Sequence, residues 1–184
     1  MGETDADPSG PSGPRELSEL AAAMREEWRV AQETEGRDAA EQFMHGRALR
    51  DVALEWLHRG DDLTVEVAGV RVSGAVTDVG DDLVALRTAS GRVDVHVHPA
   101  VPILLRPSRR KAGGTRRSAG PRTFRATLLA RESTEVVVGT TVSDERLRGR
   151  LVVARDHVRV VTDGGIDVHV PISSVAYVRP APEG

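Results

Sequence analysis

The sequence predicts a mainly β protein with helices at its N-terminal end and two tandem copies of a small β-barrel. Three observations predict this fold class. Apolar residues follow a helical spacing up to Gly60 and alternate with polar residues after it. Short alternating segments are then separated by turn signals such as Gly80-Asp81 and Ser90-Gly91. Finally, a stretch in the middle of the chain recurs in the same order near its end.

Composition places the chain among globular proteins. It has 184 residues, of which 39% are hydrophobic and 29% charged, enough for one domain or two small ones. Cysteine is absent, which excludes disulfides and thiolate metal sites. No leader-like segment or apolar run of membrane-spanning length occurs, so we expect a cytoplasmic protein without a membrane span. Lys111 is the only lysine, a bias that a GC-rich bacterial genome would produce.

The N-terminal part divides into a tail and a helical segment. Residues 1–14 are rich in Gly, Pro, Ser and acidic side chains, so we expect a disordered tail. Residues 15–59 have helical periodicity, and the first helix is predicted to end before Gly36. Asp38 fits the N-cap of a second helix, and Gly60 fits its C-terminal cap. Both helices have an apolar face: Leu17, Leu20, Ala21, Met24 and Trp28 in the first, and Leu49, Val52, Ala53, Trp56 and Leu57 in the second. We interpret these faces as packing on the barrels; a partner-binding helix or coiled coil is the alternative.

The two β segments are predicted at residues 60–107 and 123–180. Residues 93–107 align without gaps on residues 166–180, and six of the fifteen positions are identical. The identical pairs are Asp94 with Asp167, Val95 with Val168, His96 with His169, Val97 with Val170, Arg106 with Arg179, and Pro107 with Pro180. Upstream, Gly74 matches Gly149. Similarity that keeps its order in this way indicates an internal duplication.

Residues 69–87 resemble the first sequence motif of the Sm-like family, the RNA-binding Sm, LSm and Hfq proteins. The motif has a glycine after the first strand and another five residues later, where Gly69 and Gly74 stand. Apolar residues follow at Val76, Leu83, Val84 and Leu86. The resemblance implies two Sm-like or SH3-like barrels, preceded by a helix. It does not extend to the RNA pocket, because residues 82–85 lack the family's asparagine and no Lys-His pair precedes the last strand.

Asp94, His96 and His98 alternate along one predicted strand and should project from the same face. Two histidines and a carboxylate are a possible zinc ligand set. The second copy keeps Asp167 and His169 but has Pro171 at the third position. We therefore interpret the residues as the polar face of a half-buried strand, with a metal site as the weaker alternative.

The strongest charge feature is a basic linker at residues 108–122. Residues 106–125 contain eight basic and no acidic side chains, which leaves 17 basic and 28 acidic residues elsewhere. A flexible basic arm can neutralise phosphates without sequence selectivity. The candidate nucleic-acid-binding residues are Arg109, Arg110, Lys111, Arg116, Arg117 and Arg122. The arm could equally be a solvated tether or lie on the protein's own acidic helices.

No catalytic motif occurs: the chain lacks a P-loop, a Gly-x-Ser-x-Gly elbow, a His-Glu-x-x-His pair and a dinucleotide fingerprint. We therefore expect a non-catalytic interaction module that needs no cofactor. The leading hypothesis is nucleic-acid binding, RNA in particular, through the basic linker and barrel edges. The alternative is a scaffold that binds protein. A monomer or dimer is expected rather than a large ring.

Overall fold

The structure is a computed structural model, and it describes residues 13–109 and 120–182. The helices are α1 (Pro14–His45), α2 (Leu49–Arg59) and α3 (Phe124–Ala130). The strands are β1 (Asp62–Val67), β2 (Val70–Val79), β3 (Leu83–Thr88), β4 (Gly91–His96), β5 (Ile103–Arg109), β6 (Glu135–Thr140), β7 (Arg146–Val153), β8 (His157–Thr162), β9 (Asp167–Pro171) and β10 (Val175–Pro180). The prediction of a mainly β protein with N-terminal helices is confirmed.

The chain divides into two compact units, Met1–Arg47 and Ala48–Gly184. In the first unit, every described side chain of α1 from Leu17 to His45 is exposed. Arg29 stabilises the middle of this helix, because its guanidinium contacts Glu26 at 3.1 Å and Glu33 at 2.6 Å. Such i,i+3 and i,i+4 pairs support a helix that has no packing partner within its own unit.

The predicted break at Gly36 is wrong, since α1 continues through it to His45. A glycine inside a helix costs only about 1 kcal/mol relative to alanine, and good helix formers surround this one. Asp38 is consequently not an N-cap. The second helix starts at Leu49 instead, where the Asp51 carboxylate accepts a hydrogen bond of 3.0 Å from the Ala48 amide. Gly60 does cap that helix in the left-handed conformation, with φ 73°.

In the second unit, the described strands form one antiparallel sheet in the order β5-β1-β2-β3-β4-β10-β6-β7-β8-β9. A helix followed by five strands occurs twice, and we call residues 49–109 the first half and residues 124–180 the second half. In each half the fifth strand lies beside the first strand, and the halves join where β4 meets β10. Among the described residues no pairing joins the outer strands β5 and β9, so this sheet is open.

The matched glycines lie where neighbouring strands approach most closely. A Cβ atom at Gly74 would stand 2.3 Å from the carbonyl oxygen of Arg87, and one at Gly149 would stand 2.2 Å from that of Val161. Both distances are shorter than any side chain can tolerate. The glycine that the two halves share is therefore required by the close crossing of their second and third strands.

Two apolar clusters lie in the sheet unit, one for each half, and each cluster also contains residues from the other half. Ala176 and Tyr177 of β10 belong to the cluster of the first half, which includes Leu57 and Leu63. Leu83 of β3 belongs to the cluster of the second half, beside Phe124. Each half thus completes the apolar core of the other.

Candidate nucleic-acid interface

The structure describes only the two ends of the predicted basic linker. Arg109 is the last residue of β5 and is exposed, and Arg122 is exposed in the segment before α3. The Arg122 carbonyl accepts a hydrogen bond of 2.7 Å from the Asp81 amide, so the chain returns beside the turn between β2 and β3. The other candidates, Arg110, Lys111, Arg116 and Arg117, lie outside the described residues.

A second group of basic residues lies on the sheet itself, and sequence reasoning missed it. Arg146, Arg148 and Arg150 alternate along β7, are all exposed, and therefore project from one face. Strand register adds Arg179 of β10, because Val137 of β6 lies opposite both Arg148 and Arg179. We call Arg146, Arg148, Arg150 and Arg179 the arginine face.

The arginine face differs in its pairing from eight other described arginines. Among residues 13–109 and 120–182, no carboxylate lies within ion-pairing distance of these four guanidinium groups. Arg148 contacts only a carbonyl oxygen, that of Pro182 at 3.5 Å. Eight other arginines each have a carboxylate partner: Arg29, Arg50, Arg59, Arg71, Arg92, Arg106, Arg131 and Arg159. An acidic residue of the same sheet, Glu135 of β6, lies opposite Arg150.

A groove runs between the two halves at the edge of the arginine face. It has a volume of about 410 Å³, and Arg71, Arg146 and Arg179 stand along it. Its apolar wall comes from Val70, Val72, Val93 and Tyr177, and its hydroxyl groups from Ser73, Thr88 and Ser90. The groove thus offers cationic groups to phosphate and hydroxyl groups to sugar.

Tyr177 forms a wall of this groove but is not a stacking surface. Only 2% of the residue is exposed. Its ring packs against Gly139, where a Cβ atom would stand 2.0 Å from the Cε1 atom of the tyrosine. Binding at this groove would therefore depend on charge and hydrogen bonding more than on aromatic stacking.

The suggested metal ligands are engaged elsewhere. The Asp94 carboxylate is fully buried and accepts hydrogen bonds from Arg92 at 2.6 Å and Arg131 at 3.1 Å. The His96 ring stacks on Phe124 with centroids 4.4 Å apart. His98 is exposed, and its Nδ1 accepts a hydrogen bond of 3.1 Å from Ala100. Within the described residues, no group of three or more His, Cys, Asp or Glu side chains is placed to hold a metal ion.

The interpretation of Asp94 and His96 as the polar face of a half-buried strand is wrong, because both side chains are buried. His96 stacks on Phe124 of α3, and Asp94 contacts Arg131 just after α3. His96 Nδ1 donates a hydrogen bond of 3.0 Å to the Val175 carbonyl of the second half. Burial lowers the pKa of His96, and the Val175 carbonyl and the Asp82 carboxylate only partly oppose this shift. Asp94 and His96 therefore connect the two halves of the sheet unit.

None of the helices in the described part of the chain combines the length and the apolar character that a membrane span requires. Comparison with known proteins adds no further assignment: neither the protein-family models nor the curated proteins give a match to this chain.

Proposed function

We propose that this protein is a non-catalytic module that binds nucleic acid, RNA in particular, on the arginine face and its adjoining groove. The carrying observation is the set of four arginines on β7 and β10, the two strands that flank β6, that have no carboxylate partner among the described residues. Like charges placed close together destabilise a sheet, and a bound polyanion would remove that repulsion.

Arginine chemistry supports a phosphate-rich partner. The guanidinium group is planar, stays charged, and binds phosphate oxygens through two parallel hydrogen bonds. The arginine face extends along β7 and across to β10, so it suits a chain of phosphates better than one small anion. The basic linker at residues 108–122 includes Arg109, the last residue of β5 in the same unit, and would add further phosphate contacts.

One observation supports RNA as the partner. Hydroxyl groups of Ser73 and Ser90 line the groove and could pair with ribose 2′-hydroxyls, which DNA lacks. The proposal also includes the fold suggested by the sequence, that each half is an Sm-like or SH3-like small barrel. In its support, each half has a glycine in its long second strand and places its fifth strand beside its first.

The test is a titration of labelled single-stranded RNA and duplex DNA at several salt concentrations. Because each phosphate contact to a single strand contributes about 0.7 to the salt slope, the double variant Arg148→Gln/Arg179→Gln should lower that slope by about 1.4. Arg155→Gln is the matched control, since it removes an exposed arginine outside the arginine face. Absence of binding to both nucleic acids at low salt would rule the proposal out, and a slope that falls equally in the control would rule out this face.

A protein scaffold is the second candidate, and the exposed apolar side chains of α1 favour it. Leu20, Met24 and Trp28 are 57%, 63% and 69% exposed. The double variant Leu20→Gln/Met24→Gln separates the two functions. It should leave RNA affinity unchanged if the arginine face binds RNA, whereas a scaffold would lose its protein partner.

A further inference from the structure

Two arginines of the first half share one carboxylate oxygen. Glu66 of β1 lies opposite Arg71 of β2. The Oε1 atom of Glu66 accepts a hydrogen bond of 3.1 Å from Arg71 Nε and one of 2.8 Å from Nη2 of Arg106 on β5. Arg71 Nη2 also lies 2.8 Å from that oxygen. This arrangement brings two guanidinium groups from the second and fifth strands onto a single anionic atom.

The second half has the same two arginines but a glycine in place of the glutamate. Gly139 corresponds to Glu66, because each is the fifth residue of the first strand of its half and lies opposite an arginine of the second strand. In the second half that arginine is Arg146. Arg179 matches Arg106 in the alignment of the two copies. The two arginines therefore occupy equivalent strand positions in both halves, and the second half lacks the carboxylate between them.

Residue 139 cannot supply the missing carboxylate. The ring of Tyr177, which lies opposite Gly139 on β10, stands so close that any Cβ atom at Gly139 would clash with it. In the first half, the residue opposite Glu66 on the fifth strand is the smaller Leu104. Within residues 13–109 and 120–182, no other carboxylate lies within ion-pairing distance of Arg146 or Arg179. An anion at this position would therefore come from another molecule.

The groove beside Tyr177 gives such an anion access to both arginines. Arg146 and Arg179 both line this cavity of about 410 Å³, so their side chains border one common space. Its volume lies within the range of about 300–1,000 Å³ that is usual for small-ligand sites. Ser73 and Ser90 border the same space, and their hydroxyl groups suit the sugar that follows a phosphate.

We propose that Arg146 and Arg179 together hold one phosphate group, at the position that corresponds to the Glu66 carboxylate of the first half. We call these two arginines the phosphate site. The inference rests on the proposed function in one respect, since that function makes the RNA backbone the source of the phosphate. Phosphate is favoured over a carboxylate of a protein partner, because Arg148 and Arg150 continue the positive charge along β7, as a chain of phosphates requires.

Single and double substitutions test whether the two arginines hold the same phosphate. Arg146→Gln and Arg179→Gln should each weaken the binding of single-stranded RNA about tenfold, because each removes a charge-assisted hydrogen bond. The double variant should weaken binding by much less than the product of the two single effects, since both side chains contact one phosphate. Arg155→Gln is the matched control and should leave the affinity unchanged. Single effects no larger than that of the control, or effects that multiply, would overturn the proposal.

The first half offers a variant that should gain a phosphate site. Glu66→Ala removes the shared carboxylate and leaves Arg71 and Arg106 in the arrangement of the phosphate site. The Glu66 side chain is 33% exposed at the sheet surface, so the variant should fold, which circular dichroism verifies. Asp163→Ala is the matched control, because it removes an exposed carboxylate from the turn after β8.

Titration of the full chain with inorganic phosphate at low salt, followed by the NMR signals of the arginine Nε–H groups, measures this gain. Phosphate should shift the signals of Arg146 and Arg179 in the natural chain and in Asp163→Ala. In Glu66→Ala it should also shift those of Arg71 and Arg106. Phosphate that leaves the signals of Arg146 and Arg179 unchanged would overturn the proposal.

Further titrations of the same signals identify the source of the anion. A nucleoside 5′-monophosphate that shifts them, together with absence of RNA binding, would support the phosphate site and reject the proposed function. RNA binding without any shift at Arg146 and Arg179 would overturn the phosphate site and leave the proposed function standing. An oligoglutamate peptide that shifts them at lower concentration than RNA does would overturn the proposal in favour of an acidic protein partner.

Discussion

The same Asp-x-His pair occurs on β4 and on β9, in opposite environments. Asp94 and His96 are 0% and 3% exposed at the junction of the halves, whereas Asp167 and His169 are exposed at the end of the sheet. Asp94 contacts two arginines, while the partner of Asp167 within the described part of the chain is Arg159, at 3.1 Å. A repeated sequence thus specifies a repeated strand, and the position of that strand in the sheet decides what its polar residues do. The following substitutions test this contrast.

The largest difference is expected between Asp94→Ala and Asp167→Ala. Without the Asp94 carboxylate, the partly buried guanidinium groups of Arg92 and Arg131 lose the acidic group that they share. This loss should lower the free energy of unfolding by about 3–5 kcal/mol. Asp167→Ala should change that free energy by less than about 0.5 kcal/mol, because its ion pair is exposed. Urea denaturation measures both values. Equal losses of unfolding free energy in the two variants would contradict the difference between the two environments.

Replacing His96 should also lower the free energy of unfolding more than replacing His169 does, but by less than for the two aspartates. His96→Ala removes the stack on Phe124 and leaves the buried Val175 carbonyl without its donor, for a loss of about 2–3 kcal/mol. His169→Ala should change the free energy of unfolding by less than about 0.5 kcal/mol, since the ring is exposed and its aromatic neighbour is His157. The same denaturation experiment measures both values. A loss of stability in His169→Ala as large as that in His96→Ala would contradict this difference between the two histidines.

The pH dependence of stability should also distinguish the two sites. Burial lowers the pKa of His96 in the folded protein, while the unfolded chain titrates near pH 6.5. The unfolded state therefore binds more protons, and the free energy of unfolding should fall as the pH drops below about 6.5. Denaturation midpoints between about pH 7.5 and about pH 5.5 measure this slope. His96→Gln should flatten it and His169→Gln should not.

The smallest expected effect concerns the arginine face. Glu135 lies opposite Arg150, so Glu135→Gln removes one exposed negative charge next to the proposed phosphate contacts. Removing an exposed charge interaction of about 0.5 kcal/mol corresponds to a rise in RNA affinity of about twofold. Glu145→Gln, which removes an exposed charge before β7, is the comparison. A fall in affinity for Glu135→Gln would argue against phosphate binding at this face.

The sequence predicts local structure well here, because local structure depends on spacing. Alternation after Gly60, the left-handed cap at that residue, and the shared glycines at Gly74 and Gly149 all follow from short-range geometry. The continuation of α1 through Gly36 does not, since one weak helix former is outweighed by its neighbours.

The pairing of distant strands could not be predicted from the sequence, for physical reasons. An exposed strand edge can pair with any other edge, so nothing in the pattern of β4 or β10 says that they meet. The burial of Asp94 therefore could not be foreseen. The arginine face was missed for a different reason: the Arg-x-Arg-x-Arg spacing of residues 146–150 is visible, but arginine is common throughout this chain. Only strand register shows that Arg179 joins the group.

The position of β10 determines when the protein can fold. It follows all the other described strands along the chain, yet it lies in the middle of the sheet and supplies Ala176 and Tyr177 to the core of the first half. During synthesis, the first half emerges long before these residues do, and until then its β4 edge lacks a partner. The sheet unit should therefore acquire stability late and all at once, and a ribosome-stalled chain that lacks β10 should remain sensitive to protease throughout both halves.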